Sequence, residues 1–292
     1  MKGLILAAGY GTRFLPITKT IPKEMLPLGT RPALDFVIRE FIESGIRDIV
    51  IVNSRRKKTL EDYFDREPET EEFFFRNGME SHLRKIQPPD AQLYFVRQQL
   101  MNGPGAAVLL VREILGGEPC VLAFPDDLHI GSPPLTRQLL DVHAQTGNAV
   151  LALEARPAEE DISRYGVAAV RADTDPLQVT QLVEKPARGT EPSRLISIGR
   201  YVLTPEVFAM LSAEQDQHAH GEFYLTPALN RLAQSGRLSG CLYTGERLDT
   251  GQPLGYYQAA VRVFLDDPAN GPAFLRFLQT VVAERSEGPD AG

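Results

Sequence analysis

The sequence contains two cysteines in 292 residues, Cys120 and Cys241. They stand far apart, each in an apolar run (EPCVLAF and SGCLYTG). Buried free thiols in a reducing cytosol are therefore a better reading than a disulfide. No cysteine–histidine spacing forms a zinc site. No apolar run reaches spanning length, and only Lys2 precedes the short apolar run at the start. Neither a membrane span nor a secretory signal is expected, and the chain is expected to be cytoplasmic. An excess of basic residues is also missing: 31 Lys and Arg stand against 38 Asp and Glu, a formal net charge of −7. That balance argues against general nucleic-acid affinity, while leaving room for a local basic pocket for one anionic small molecule. There is no fixed-period repeat and no linker between autonomous halves.

What is present is a regular alternation of strand and helix patterns. Residues 2–7 (KGLILA), 48–53 (DIVIVN), 91–98, 119–124 and 148–155 read as apolar strands. Residues 32–46, 59–65, 105–115 and 135–147 read as helices between them. Apolar strands separated by helices imply a doubly wound, mostly parallel α/β sheet covered on both faces. The charged stretch 66–90 reads as a surface excursion, helical around EEFFF. After about residue 160, YGVAAVRA, LQVTQLVEK and LISIGRYVLT look like strands without full helices between them, which predicts a mixed β extension. Helical patterns return at PEVFAML, LTPALNRLAQ and PLGYYQAAVRVFLD, before a small polar tail, SEGPDAG, that is expected to fray.

The stretch AAGYGTRFLPITKTIPKEMLP sits at the carboxyl end of the first strand, where ligands bind in open parallel sheets. Gly9 and Gly11 lack side chains, so backbone N–H groups can approach a phosphate or a base edge. Arg13 and Lys23 bring positive charge. The stretch is not a P-loop, since GxxxxGK[ST] is absent. Nor is it a dinucleotide fingerprint, since the third glycine is missing and prolines continue the loop. A glycine-rich turn with solvated charges is the plainer alternative for a bare GxG.

Three further places carry candidate chemistry. Asp126 and Asp127 end the fourth strand, and Asp249 lies in RLDTG; two carboxylates from distant segments suit Mg²⁺, which takes few protein ligands. Gln98 ends the third strand before a glycine loop, and its amide matches the uracil imide edge as well as it matches thymine, or caps a helix. Glu184 and Lys185 end a strand at VEKP, where Pro186 can turn both toward a site or leave them as a surface pair.

Taken together, AAGYGTRFLPITKTIPKEMLPL, YFVRQQLMNGPGAAV, FPDD, SRYGV, VEKP, IGRYVLTPEVF and RLDTGQPLGYYQA resemble, in order, the sugar-nucleotide pyrophosphorylases, closest to the bacterial UTP–glucose-1-phosphate uridylyltransferases. The resemblance spans about residues 2–263. It implies a Rossmann-like sheet with a mixed β extension and C-terminal helices. A catalytic domain would span residues 1–266, followed by a C-terminal helix and tail over 267–292. It further implies transfer of a uridylyl group from UTP to glucose-1-phosphate with Mg²⁺. Nucleotide contacts would come from Ala8, Gly9, Gly11, Gln98 and Gly103, and catalysis from Arg13, Lys23 and Lys185. The sugar side would be Gly166, Glu184 and Lys185, and the metal ligands Asp126 and Asp249, with Asp127 a neighbour. A homodimer or homotetramer is implied, with no nucleic-acid or membrane partner. The pattern departs at Ala106, Tyr224 and Pro227. A sister enzyme using dTTP or another sugar-1-phosphate, and a catalytically weak regulatory paralogue, are the alternatives. None of His82, His129, His143, His218 and His220 forms a recognisable catalytic pair.

Overall fold

The computed structural model of the protein describes residues 1–215 and 221–287. His218, His220 and the last five residues of the expected tail lie outside these. The chain enters through β1 (Lys2–Leu6), with Leu4 and Ile5 fully buried. The opening loop follows as three short 3-10 turns and the hairpin of β2 (Pro27–Leu28) and β3 (Arg31–Pro32). α1 (Ala33–Glu43) buries Leu34, Val37, Ile38 and Phe41, an apolar stripe at helical spacing. β4 (Asp48–Asn53) and α2 (Lys58–Phe64) come next. The charged excursion forms two helices, α3 (Pro68–Arg76) and α4 (Glu80–Lys85), and leads into β5 (Gln92–Arg97).

The single helix expected over 105–115 is two, α5 (Pro104–Leu110) and α6 (Arg112–Leu115). Val111, β-branched and fully buried, leaves helical geometry between them (φ −105°, ψ 7°). Then come β6 (Cys120–Ala123), β7 (Asp127–Ile130), α7 (Leu135–Thr146) and β8 (Ala149–Ala155). β9 (Gly166–Arg171), β10 (Leu177–Glu184) and β11 (Leu195–Leu203) follow with no helix between them. The remainder is α8 (Pro205–Gln215), α9 (Thr226–Gln234), β12 (Leu238–Leu242), β13 (Glu246–Asp249), α10 (Pro253–Leu265) and α11 (Gly271–Glu287). The helix α11 extends through Glu287, taking in Ser286 and Glu287, the first two residues of the expected tail. It packs on α10 through the Phe264 and Phe274 rings, 4.9 Å apart.

Nine strands of the described residues form one sheet in the order β5-β4-β1-β6-β11-β8-β12-β10-β9. β5, β4, β1 and β6 are parallel. β11 then inserts antiparallel between β6 and β8, and β8 pairs parallel with β12. The parallel doubly wound half and the mixed extension expected from the sequence are both present. The late strand β11 sits between two early ones, however, so β8 does not neighbour β6. Successive residues along β1 and just after it serve opposite faces: Leu4 and Leu6 pack with α5, α8 and α9, whereas Ile5 and Ala7 pack with α1, α2 and α7. Both cysteines are free and buried, and burial pushes the thiols up to about 12 for Cys120 and about 11 for Cys241. Neither is a thiolate nucleophile at neutral pH.

From β1 the chain steps outward to β4 and β5, then returns to place β6 on the other side of β1. The loops that leave β1 and β6 therefore diverge, opening a crevice at the carboxyl ends of these two strands. The glycine loop and Asp126 are at its two sides.

Candidate active site

The crevice is a cleft of about 600 Å³. Ala8, Gly9, Gly11, Arg13, Lys23, Gln98, Gly103 and Asp126 all line it. A Cβ on Gly9 would meet nothing within 4 Å, so this backbone is open to an incoming group. Gly11 turns the loop at φ +68°, and the Thr18 hydroxyl donates to its carbonyl at 2.7 Å. The guanidinium of Arg13 is aimed across the cleft: Nη1 donates to the Gly251 carbonyl at 3.3 Å. The Gln252 amide, with its oxygen toward the guanidinium, accepts from Arg13 Nε at 3.2 Å.

Lys23 Nζ and Asp126 Oδ2 form an ion pair at 2.5 Å. Burial works against the charge on Lys23, yet Asp126 and Glu24 hold its pKa above the usual lysine value. Burial likewise opposes the charge on Asp126, and Lys23 keeps its carboxyl below the usual range. Both groups are thus charged at neutral pH.

Asp249 reaches Asp126 by strand register. β13 pairs antiparallel with β7, placing Asp249 opposite Asp127, and Thr250 N–H then donates to the Asp126 carbonyl at 2.8 Å. A Cβ on Gly251 would sit 2.8 Å from Asp126 Oδ2 and 3.1 Å from Asp249 Oδ1. The two carboxylates therefore flank a gap that only glycine leaves open. No group of three or more His, Cys, Asp or Glu among the described residues could hold a metal ion. Asp126, on the cleft, and Asp249, across Gly251 from it, nevertheless fit a hard divalent cation that keeps waters and phosphate oxygens as its other ligands. Asp127 is occupied elsewhere, accepting from Gly199 N–H at 2.7 Å and pairing with Arg247.

The Gln98 side chain donates from Nε2 to Asn102 Oδ1 at 3.2 Å and to the Gly103 carbonyl at 3.4 Å. Gly103 has φ +108°, and a Cβ there would lie 2.5 Å from the Phe223 carbonyl oxygen. The close neighbour that demands this glycine is thus a protein segment. Phe223 N–H donates to the Asn102 carbonyl at 2.8 Å, and Gly105 N–H donates to the Phe223 carbonyl at 2.9 Å.

Gly166, Glu184 and Lys185 lie together but outside the lining of that cleft. Glu184 and Gly166 are cross-strand partners in β10 and β9. A Cβ on Gly166 would be 3.6 Å from Glu184 Oε2. Lys185 has φ +44°, the only positive φ at a non-glycine among the described residues. Strand alternation would send Glu184 and Lys185 to opposite faces; this turn brings Lys185 Nζ to 3.8 Å from Glu184 Oε1 instead. Asp249 is not part of that cleft's lining either; it lines a second cavity of about 660 Å³ together with Arg247 and Tyr165.

Three supporting groups have no local motif in the sequence. Lys57 and Glu24 form a buried ion pair at 2.7 Å beneath Lys23; burial pushes Lys57 below the usual lysine value although Glu24 opposes it. Arg200, fully buried, pairs with Glu40 at 2.7 Å and donates to the Asp127 carbonyl at 3.2 Å. Arg247 pairs with Asp127 and stands 3.8 Å from Asp249. Apart from Asp249, two positions from Arg247, their partners are 33 to 160 positions away, so spacing could not expose them. The only available signal was a charged residue inside an apolar strand, as in ISIGRYVL. His129 and His143 each bond a backbone carbonyl, Thr244 and Asn148.

Known proteins are similar to this chain in sequence and fold. A UTP–glucose-1-phosphate uridylyltransferase of Staphylococcus epidermidis is 38% identical over 281 residues, 95% of this chain and 97% of that protein. The structure of a UTP-bound UGPase from Acinetobacter baumannii superposes with a TM-score of 0.86 at 29% identity, covering 95% of this chain and 98% of that one. A UDP-glucose pyrophosphorylase complexed with UDP-glucose gives a TM-score of 0.77 at 36% identity, covering 89% and 97%. The family model for nucleotidyl transferases matches residues 2–264, the span that contains the glycine loop, the paired carboxylates and the Glu184–Lys185 turn. A family match over that span, together with a relative 38% identical along nearly the whole chain, makes this chain a member of the nucleotidyl transferase family.

Proposed function

We propose that the protein transfers the uridylyl group of UTP to glucose-1-phosphate, giving UDP-glucose and pyrophosphate, with Mg²⁺ as its metal. The observation that carries this reading is the Lys23–Asp126 pair set opposite the glycine loop at the β1–β6 crevice. The names of the relatives, and the UTP bound to the Acinetobacter baumannii protein, favour uracil and glucose-1-phosphate over dTTP and other sugars.

In the reaction, a phosphate oxygen of the sugar attacks the α-phosphorus while the bond to pyrophosphate breaks. The attacking oxygen is already ionised, so no general base is needed. Ala8, Gly9 and Gly11 offer backbone to the nucleotide, and Gln98 with Gly103 frames its base. Arg13 and Lys23 stabilise charge on the α-phosphate and on the leaving group. Lys185 neutralises the sugar phosphate, Glu184 accepts sugar hydroxyls, and Gly166 permits their close approach. Asp126 and Asp249 would hold the metal, which supplies charge neutralisation between the two phosphate groups. Two anions meet in this reaction, so positioning and charge balance carry most of the catalysis.

The test is pyrophosphate release with Mg²⁺, glucose-1-phosphate and UTP, dTTP, CTP, ATP or GTP in turn. Release with UTP well above the others is expected. Equal or greater release with dTTP, or none with any nucleotide from folded protein, overturns the assignment.

A further inference from the structure

The segment Glu222–Thr226 reads E-F-Y-L-T, polar and apolar in alternation. Burial alternates along it even though Leu225 already turns into helical geometry (φ −79°, ψ −27°) and Thr226 opens α9, so the segment presents two different faces. Phe223 and Leu225 are buried, and Phe223 is tied by two backbone hydrogen bonds to Asn102 and Gly105 in the loop that follows Gln98. Glu222, Tyr224 and Thr226 form the other face. All three engage the Glu184–Lys185 turn or each other. Thr226 Oγ1 donates to Glu184 Oε2 at 2.5 Å. The Tyr224 hydroxyl accepts from Lys185 Nζ at 3.2 Å and donates to Glu222 Oε2 at 2.7 Å. Lys185 Nζ also lies 4.8 Å from the centroid of the Tyr224 ring. Glu222 itself lines the nucleotide cleft. One strap thus connects the nucleotide cleft, through Glu222, to the Glu184–Lys185 turn outside its lining.

We propose that Tyr224 is a positioning residue for the sugar phosphate, holding the Lys185 ammonium at the rim of the cleft. The inference rests on the reading of Lys185 as the ligand of that phosphate. Lys185 is half exposed and ends in four rotatable carbons, so without a partner its ammonium samples many positions. Tyr224 restricts it in two ways. The ring face attracts the cation. The hydroxyl proton is committed to Glu222, which turns an oxygen lone pair toward Lys185. A sugar phosphate, doubly charged and a stronger acceptor than a phenol, takes over the ammonium from a place already within reach. Tyr224 is also one of the three positions, with Ala106 and Pro227, at which the chain departs from the proteins it resembles. An amide at this position could accept and donate in the same way but has no ring.

The experiment is steady-state kinetics on the full-length protein, varying the sugar phosphate at saturating nucleotide and then the reverse. Tyr224→Phe keeps the ring and removes the hydroxyl. KM for glucose-1-phosphate is expected to rise about three- to tenfold, the usual worth of one such hydrogen bond. The kcat and the KM for UTP should stay within about twofold of wild type. Tyr224→Gln, which restores an acceptor and a donor, should fall between Tyr224→Phe and wild type. An unchanged KM for glucose-1-phosphate in Tyr224→Phe overturns the proposal, and so does an equal rise in KM for both substrates, which a merely structural strap would give. Lys185→Ala separates the two levels. If it leaves the KM for glucose-1-phosphate intact, the reading of Lys185 fails, and the proposal with it. If it raises that KM while Tyr224→Phe does not, only the role of Tyr224 fails.

Discussion

Asp126 and Asp249, 123 positions apart in the chain, converge on one α-carbon, that of Gly251, where a Cβ would lie 2.8 Å from one carboxylate and 3.1 Å from the other. A methyl group there fills the gap between the acids. Gly251→Ala is therefore expected to lower turnover about ten- to a hundredfold, the range for disturbed metal surroundings. Pyrophosphate release measured against Mg²⁺ concentration checks it. Wild-type turnover at wild-type metal requirement would show that the gap is not used.

Asp126→Asn and Asp249→Asn should each cut turnover at least a hundredfold while the protein stays folded by circular dichroism. Chelation of divalent cations should have a comparable effect on the wild type, reversed by added Mg²⁺. Near-normal turnover in both variants would remove the metal assignment.

Glu40 is buried against Arg200. Burial alone would raise its pKa, but the guanidinium and the Thr136 hydroxyl hold it below the ordinary 4.5. A carboxyl with a depressed folded pKa stabilises the fold above its unfolded value, and that stabilisation is lost as pH falls through the folded value. Glu40→Gln leaves Arg200 buried without its counter-charge, at a cost of about 3–5 kcal/mol. Thermal unfolding should show the full Tm deficit at pH 6–8 and a deficit that shrinks below about pH 4.5. A deficit independent of pH would mean that the charge on Glu40 is not what stabilises the fold.

Gly103→Ala places a Cβ 2.5 Å from the Phe223 carbonyl oxygen, in a backbone conformation that side chains resist. The expected cost is about 1–3 kcal/mol of stability. Because the strap bearing Tyr224 must move, KM should rise for both nucleotide and sugar phosphate, unlike the one-sided change expected of Tyr224→Phe. A rise for the nucleotide alone would show that the glycine serves only the base.

Much of this protein could be read from its residues in order. Apolar strands, alternating helices and the glycine–proline loop after β1 are local patterns, each set by a few neighbouring side chains. The doubly wound half, the mixed extension and the family resemblance all follow from such patterns. The excursion at 66–90 was legible too, since EEFFF has helical residues with no apolar face long enough for the core. The break at Val111 was not, because it depends on how α5 and α6 wrap one core.

What only the tertiary structure decided is which distant pieces meet. β11 inserts between β6 and β8, which puts Arg200 beside Glu40 and beneath Asp127. The register of β13 on β7 brings Asp249 to Asp126. The turn at Lys185 cancels strand alternation, and the Glu222–Thr226 strap joins that turn to the loop after Gln98. Each depends on pairing across tens to more than a hundred residues, where a one-residue change of register would point the same side chains elsewhere. The sequence by itself determined the parts and their chemistry; their mutual distances belong to the packed sheet alone.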